Sequence, residues 1–277
     1  AEQVPISSTF MGSSAVVTNP ALNQAADGAG STINVPFFLE PDNADEPQKE
    51  DDSPTYHGLK SGKMVAARLN RVNTLGHTAL SAGLSGTDPI GYGLGALNSL
   101  RQRNRLRALI HMLKGLFGTT GAAAYAALLE NVSSEDPGGS PASSTLFNSD
   151  VFGVAVARTG ELLNRLSAGA LLVHPDIHQA MVAQDHITTE RDSEGPLLIQ
   201  RYKETIPVFV SSLLKRPGAD SGFVYDSFVF GPGTVGFGYK PQSDQVGDIS
   251  SLTMKEDADK NNVTLYDRTS GYLHPNG

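Results

Sequence analysis

The chain has 277 residues, with 29 glycines, 16 prolines, only 18% charged residues and a net charge of −8; this length allows one large or two ordinary domains, and the composition favours a β-rich or mixed chain over a helical bundle. The lack of cysteine excludes disulfides, thiolate zinc sites and cysteine nucleophiles, and the acidic balance argues against nucleic-acid binding by the whole surface. No apolar run approaches the roughly 20 residues of a membrane span, the first residues lack the basic-then-apolar order of a signal peptide, and Ala1 fits loss of an initiator Met, so a soluble intracellular product is expected.

Residues 1–30 are small and polar, with few large apolar groups, and read as an extended arm. "STINVPFFLE" (31–40) reads as a strand, "PDNADEPQKEDDSP" (41–54) as a polar tip, and residues 55–80 as a β-favouring return. Together they predict a long hairpin, which is marginal in water unless it lies on something else, such as a neighbouring copy. Next comes a long helix over 88–117, with Asp88 as N-cap and Pro89 as first helical residue. From 89 to 117 it spans about 43 Å at 1.5 Å per residue. Leu106, Leu109, Ile110, Leu113, Leu116 and Phe117 form one apolar stripe. Leu94, Leu97 and Leu100 are out of phase with it, and Gly91, Gly93 and Gly95 weaken the first turns.

Residues 130–145 read as a flexible connection and 146–167 as a helix capped by Asn148 or Ser149. "GALLVHP" (169–175) is a short buried strand, followed by a helix that opens on Pro175. Residues 197–214 and 222–240 are strand-rich, and 261–277 supplies a last strand.

Charge is unevenly spread. Residues 1–60 hold nine acids against Lys49 and Lys60, a net of −7, whereas residues 61–118 hold eight bases against Asp88, a net of +7. Such polarity suggests that one part of a subunit meets the opposite part of another. Arg101 and Arg105 flank the apolar stripe on one side, Arg103 and Arg107 on the other. Their stems can cover the core while their heads pair with acids. Phosphate contact is the second reading, weakened because the arginines split over two sides and have no aromatic partners for stacking.

No candidate catalytic motif survives its context test. Gly231-Pro-Gly233-Thr-Val-Gly236 matches the dinucleotide pattern, but β-like "FGYKP" follows it where a helix is required. His174 and His178, with Asp176, Asp185 and His186 nearby, have helical zinc spacing; yet His174 lies on the strand end, so polar capping of that corner is preferred. The acidic run 40–52 lacks a calcium-loop pattern, Glu130, Glu135 and Asp136 lie in a flexible stretch, and there is no G-x-S-x-G elbow. The residues alone therefore point to a non-enzymatic, assembly-prone chain of mixed α and β structure.

The order of segments goes further. An extended arm, an acidic-tipped hairpin, "LSGTDPIGYGLGALNSLRQRNRLRALIHMLKGLFG", "LFNSDVFGVAVARTGELL" with "ALLVHPDIHQAMVAQD", then "TIPVFVSS" and "FVFGPGTVGFG", resembles the major capsid proteins of tailed bacteriophages. "SGTDP" before the Arg-bearing helix and "HPDIHQAM" after a buried strand carry the likeness best. The resemblance implies an α+β fold of the Hong Kong 97 type: N-terminal arm 1–30, extended loop 31–60, peripheral domain 61–147 with spine helix 88–117, axial domain 148–240, and a return to the peripheral domain over 241–277. It implies a structural protein that self-assembles in hexamers and pentamers into an icosahedral shell around double-stranded DNA. The alternative is an encapsulin-like nanocompartment shell around a protein cargo. No enzyme activity, cofactor or metal is expected, and no membrane partner. Packaged DNA is expected to make weak non-specific contact, with scaffold, portal and decoration proteins as further partners. The virion is the expected location, after assembly in the host bacterial cytoplasm. Contacts between subunits are expected at Phe37, Phe38, Leu39, Asp45, Glu46, Asp51, Asp52, Arg68, Arg71, Arg101, Arg103, Arg105 and Arg107.

Overall fold

In chain order the elements are β1 (Val16–Thr18), α1 (Pro20–Asp27), β2 (Thr32–Phe38), β3 (Ser61–Thr78), α2 (Pro89–Leu116), α3 (Ser149–Ala157), a 3₁₀ segment (Gly160–Ala168), β4 (Ala170–Val173) and α4 (Pro175–Ala183). Then follow β5 (Ile187–Arg191), β6 (Leu198–Tyr202), β7 (Ile206–Val210), β8 (Lys215–Pro217), β9 (Phe223–Tyr225), β10 (Phe228–Phe230), β11 (Val235–Tyr239), β12 (Ser251–Asp257) and β13 (Asn262–Pro275). They come from a computed structural model that describes residues 10–28, 30–38, 60–78, 86, 89–117, 147–191, 198–217, 222–245, 248, 250–257 and 262–275. Leu39, Asp45, Glu46, Asp51, Asp52, Asp88 and the 130–145 connection lie outside them. The chain divides into two units, the first within 1–17, 75–235 and 255–265, the second within 18–74, 236–254 and 266–277.

The first unit is built on a five-stranded sheet in the order β10–β4–β7–β6–β5. β4 runs parallel to β7 and antiparallel to β10, and all four of its residues are buried, as its unbroken apolar run requires. α3 and α4 contribute Phe152, Ile177, Ala180 and Met181 to a core shared with Phe147, Leu166, Leu171, Val173, Tyr202, Ile206 and Val208. Asn148 caps α3 by accepting the Asp150 N–H at 2.9 Å. The single helix expected over 146–167 is instead two pieces, because the chain turns at Gly160 (φ +59°) and continues as the 3₁₀ segment. In α2, Leu106, Leu109, Ile110 and Leu113 are buried as the stripe predicts, and so is the out-of-phase Leu97.

Residues 10–17 correct the expectation of an arm with little self-contact. Phe10 is buried, with its ring 5.4 Å from those of Phe209 and Phe230. Ala15 is buried too: its carbonyl accepts the Val235 N–H at 3.0 Å, and the Ser14 hydroxyl donates to the Ala168 carbonyl. The segment has few apolar groups, but Phe10 and Ala15 lie against residues far along the chain.

The second unit holds most of a six-stranded sheet in the order β1–β11–β13–β3–β2, with β12 also on β13. β2 and β3 are antiparallel, in a register running from Thr32 opposite Ala67 to Phe38 opposite Ser61. This is the root of the expected hairpin. Its inner face, with Ile33, Val35 and Ala66, packs with Leu22 and Ala26 of α1 and with Tyr272. α1 is a second departure from the extended arm. Asn19 caps it by accepting the Ala21 N–H at 3.0 Å, Pro20 opens it, and Leu22 and Ala26 are fully buried. Buried Asp267 accepts from Asn73 at 3.1 Å and from Gln242 at 2.8 Å, which ties β13 to β3.

Candidate functional site

His174 is a helix cap. It follows β4, and its Nδ1 accepts the Asp176 N–H at 3.2 Å, satisfying a donor at the start of α4. The ring is buried beside Tyr225, with centroids 4.8 Å apart. Burial pushes its pKa below the ordinary 6.5; Asp176 opposes that shift and Lys215 adds to it. A neutral imidazole is also what accepting an N–H requires. Among the described residues no group of His, Asp and Glu is placed to hold a metal ion. The Gly231–Gly236 stretch is the turn from β10 to β11. Gly233 has φ +72°, which glycine adopts without strain, and the Thr234 hydroxyl donates to the Gly231 carbonyl at 3.0 Å. Strand β11 follows directly, where a dinucleotide site requires a helix N-terminus.

On α2, Arg103 and Arg107 are exposed, and neither makes an ion pair among the described residues; Arg101 and Arg105 are half-buried on the other flank and have partners. At its C-terminal end Lys114 donates to the Leu213 carbonyl at 3.1 Å and lies 4.0 Å from Asp226, which also takes Arg216 at 3.1 Å. No described helix is long and apolar enough to cross a membrane.

β3 has 18 residues, about 60 Å at 3.3 Å per residue, yet Ala66 is its one buried residue. Val65 and Val72 are each 62% exposed. Arg71 is exposed. Arg68 points inward, with its guanidinium over the Tyr272 ring at 5.4 Å and against the end of α1. In the first unit, Tyr92 is 83% exposed in the first turns of α2, and Leu94 is exposed nearby.

Sequence reasoning put Arg68 at a subunit contact and did not single out Tyr92 or Tyr272. The signal for Tyr92 was present: it is the large ring among Gly91, Gly93 and Gly95, off the buried stripe. For Tyr272 there was none, since its partner lies 204 residues away.

These surfaces suit association more than chemistry, and the comparisons agree. The chain is 22% identical over 272 residues to the major capsid protein of Bacillus phage SPP1, a match covering 98% of this chain and 78% of that one. Its fold is similar to the capsid of Ralstonia phage GP4 at a TM-score of 0.63 and 12% identity, covering 96% of this chain and 86% of that one. A second similar structure is the cyanophage Pam1 capsid asymmetric unit, at a TM-score of 0.56 and 12% identity, covering 100% of this chain and 89% of that one. No protein-family profile matches the chain. The fold is thus the Hong Kong 97-type capsid fold, in its α+β form. Taken with the curated relative, the chain resembles the major capsid proteins of tailed phages.

Proposed function

We propose that copies of this protein close into an icosahedral shell of hexamers and pentamers around double-stranded DNA. The observation that carries this reading is β3, an 18-residue strand with one buried residue. A ribbon of that length with so little burial gains its stability from neighbours. Each apolar group it covers on a neighbour contributes about 25 cal/mol per Å² removed from water. The role is structural rather than catalytic, within the virion, after assembly in the host bacterial cytoplasm. Scaffold, portal and decoration proteins are further partners.

In this reading residues 1–30 are the N-terminal arm, 31–60 the extended loop, 61–147 the peripheral domain with spine helix 88–117, 148–240 the axial domain, and 241–277 the return. Phe37, Phe38 and Leu39 meet apolar surface on a neighbour, and Asp45, Glu46, Asp51 and Asp52 meet its bases. Arg71, Arg103 and Arg107, exposed in the isolated chain, are the bases best placed to answer them; Arg101 and Arg105 act at the same helix. Packaged DNA makes only weak non-specific contact with these arginines. An encapsulin-like nanocompartment is not favoured, because the relatives matched are phage capsid proteins.

Electron microscopy of the expressed protein tests the reading: closed particles are expected, and a small oligomer or monomer at high concentration overturns it. Replacing Asp45, Glu46, Asp51 and Asp52 together by Ser is expected to reduce assembly yield and salt resistance; unchanged yield removes the tip from the contact. Nuclease treatment of particles from the producing host separates the cargoes, since genome-length protected DNA supports the phage head and a DNA-free protein cargo supports the nanocompartment.

A further inference from the structure

The elbow that joins α1 to β2 is held by two side chains from distant parts of the second unit. Arg68 Nη2 donates to the carbonyls of Ala25 at 3.0 Å, Ala26 at 3.3 Å and Gly28 at 2.6 Å. Its backbone N–H donates to the Ser31 carbonyl at 2.8 Å. Its Nε donates to the Tyr272 hydroxyl at 3.2 Å, and that hydroxyl donates to the Gly30 carbonyl at 3.3 Å. Carbonyls at a helix C-terminus lack partners within the helix, and here a planar guanidinium supplies them. The charge suits the negative end of the helix dipole. Tyr272 is buried, so the platform under the guanidinium is fixed.

The elbow has little stiffness of its own. Gly30 sits at φ +137°, where L side chains rarely go, and Gly28 precedes it. Small changes there are amplified along β2. β2 alone is about 23 Å long at 3.3 Å per residue, so a swing of about 10° moves its far end by about 4 Å, the whole reach of an apolar contact.

We propose that Arg68 and Tyr272 are positioning residues that set the direction in which β2 leaves α1 before any neighbour is met. Shell geometry follows from that direction, and this consequence rests on the reading above. The arrangement also explains why a lysine is a poor substitute: a single ammonium could reach the carbonyls but has neither the Nε that donates to the Tyr272 hydroxyl nor the planar face that lies over its ring.

The test uses full-length subunits carrying Arg68→Met, Arg68→Lys or Tyr272→Phe, followed by hydrogen exchange before assembly and by particle imaging after it. Loss of charged hydrogen bonds predicts exchange about tenfold faster or more over residues 28–32 in Arg68→Met, and a smaller increase in Tyr272→Phe. Amides of residues 171–173, in the other unit, serve as the reference and stay unchanged. Particles of Arg68→Met are expected in lower yield or with scattered diameters, and Arg68→Lys is expected not to restore them. Unchanged exchange at the elbow in both Arg68→Met and Tyr272→Phe sinks the proposal. So does acceleration at 171–173 equal to that at the elbow, or regular shells at wild-type yield from Arg68→Met. Should the wild-type protein form no shell, the functional reading fails, while the exchange measurement still decides whether the two side chains hold the elbow.

Discussion

Adding one methyl group at Gly238 is expected to lift α1 off its sheet. A Cβ built there falls 2.4 Å from both the carbonyl carbon and the Cβ of Leu22, and 2.7 Å from its carbonyl oxygen. Ordinary carbon contacts are about 3.5–4.0 Å, so α1 must retreat by more than about 1 Å. The obstacle is backbone, which no rotamer change relieves. Leu22 and Ala26, both fully buried, then lose part of their packing. Overpacking of this kind costs about 1–3 kcal/mol, and a backbone obstacle places Gly238→Ala near 3. Gly153, inside α3, is the matched control, because nothing lies within 4 Å of its Cβ position. There the same methyl is expected to stabilise by about 0.5–1 kcal/mol, through lower backbone entropy of the unfolded chain. Guanidinium unfolding of unassembled subunits measures both, read as midpoints at constant m. Gly238→Ala within about 0.5 kcal/mol of wild type would refute the close-approach argument, as would Gly153→Ala destabilising to a similar degree.

Two further expectations separate core from surface and bear on pH. Leu109→Ala is expected to cost about 2–5 kcal/mol in subunit stability, since that side chain is fully buried. Tyr92→Ser is expected to leave subunit stability within about 0.5 kcal/mol yet lower particle yield, and a large stability loss would show that the ring is part of the fold. His174 is held below its ordinary 6.5 chiefly by burial. The unfolded chain therefore takes up a proton at that residue before the folded one does, so its contribution is complete above about 6.5 and is lost as pH falls from there through the folded value. His174→Asn keeps a capping side chain without a titrating ring, and it is expected to flatten the stability-against-pH curve below 6.5. An unchanged slope would assign the acid sensitivity to other groups.

The secondary structure was legible wherever neighbouring residues decide it. The stripe from Leu106 to Leu113 gave the buried face of α2, Asn148 and Pro175 marked two helix starts, and the order of strand, tip and return gave the hairpin root that β2 and β3 form. Capping at His174 was likewise readable from a strand that ends one residue before Pro-Asp. What depends on distant residues was not readable. Phe10 lies against Phe209 and Phe230 and is buried, although the stretch around it is too poor in apolar groups to fold alone. Arg68 read as one more base for a neighbour's acids, and nothing nearby in sequence pointed to its contacts with Tyr272 and the end of α1.

By itself the sequence determined the elements, the uneven charge and the absence of thiol chemistry, because caps, periodicity and composition act over a few residues. Only the tertiary structure decided which glycine tolerates a methyl, which arginine is held against a buried ring, and where Phe10 lies, because those outcomes depend on atoms brought together from distant parts of the chain.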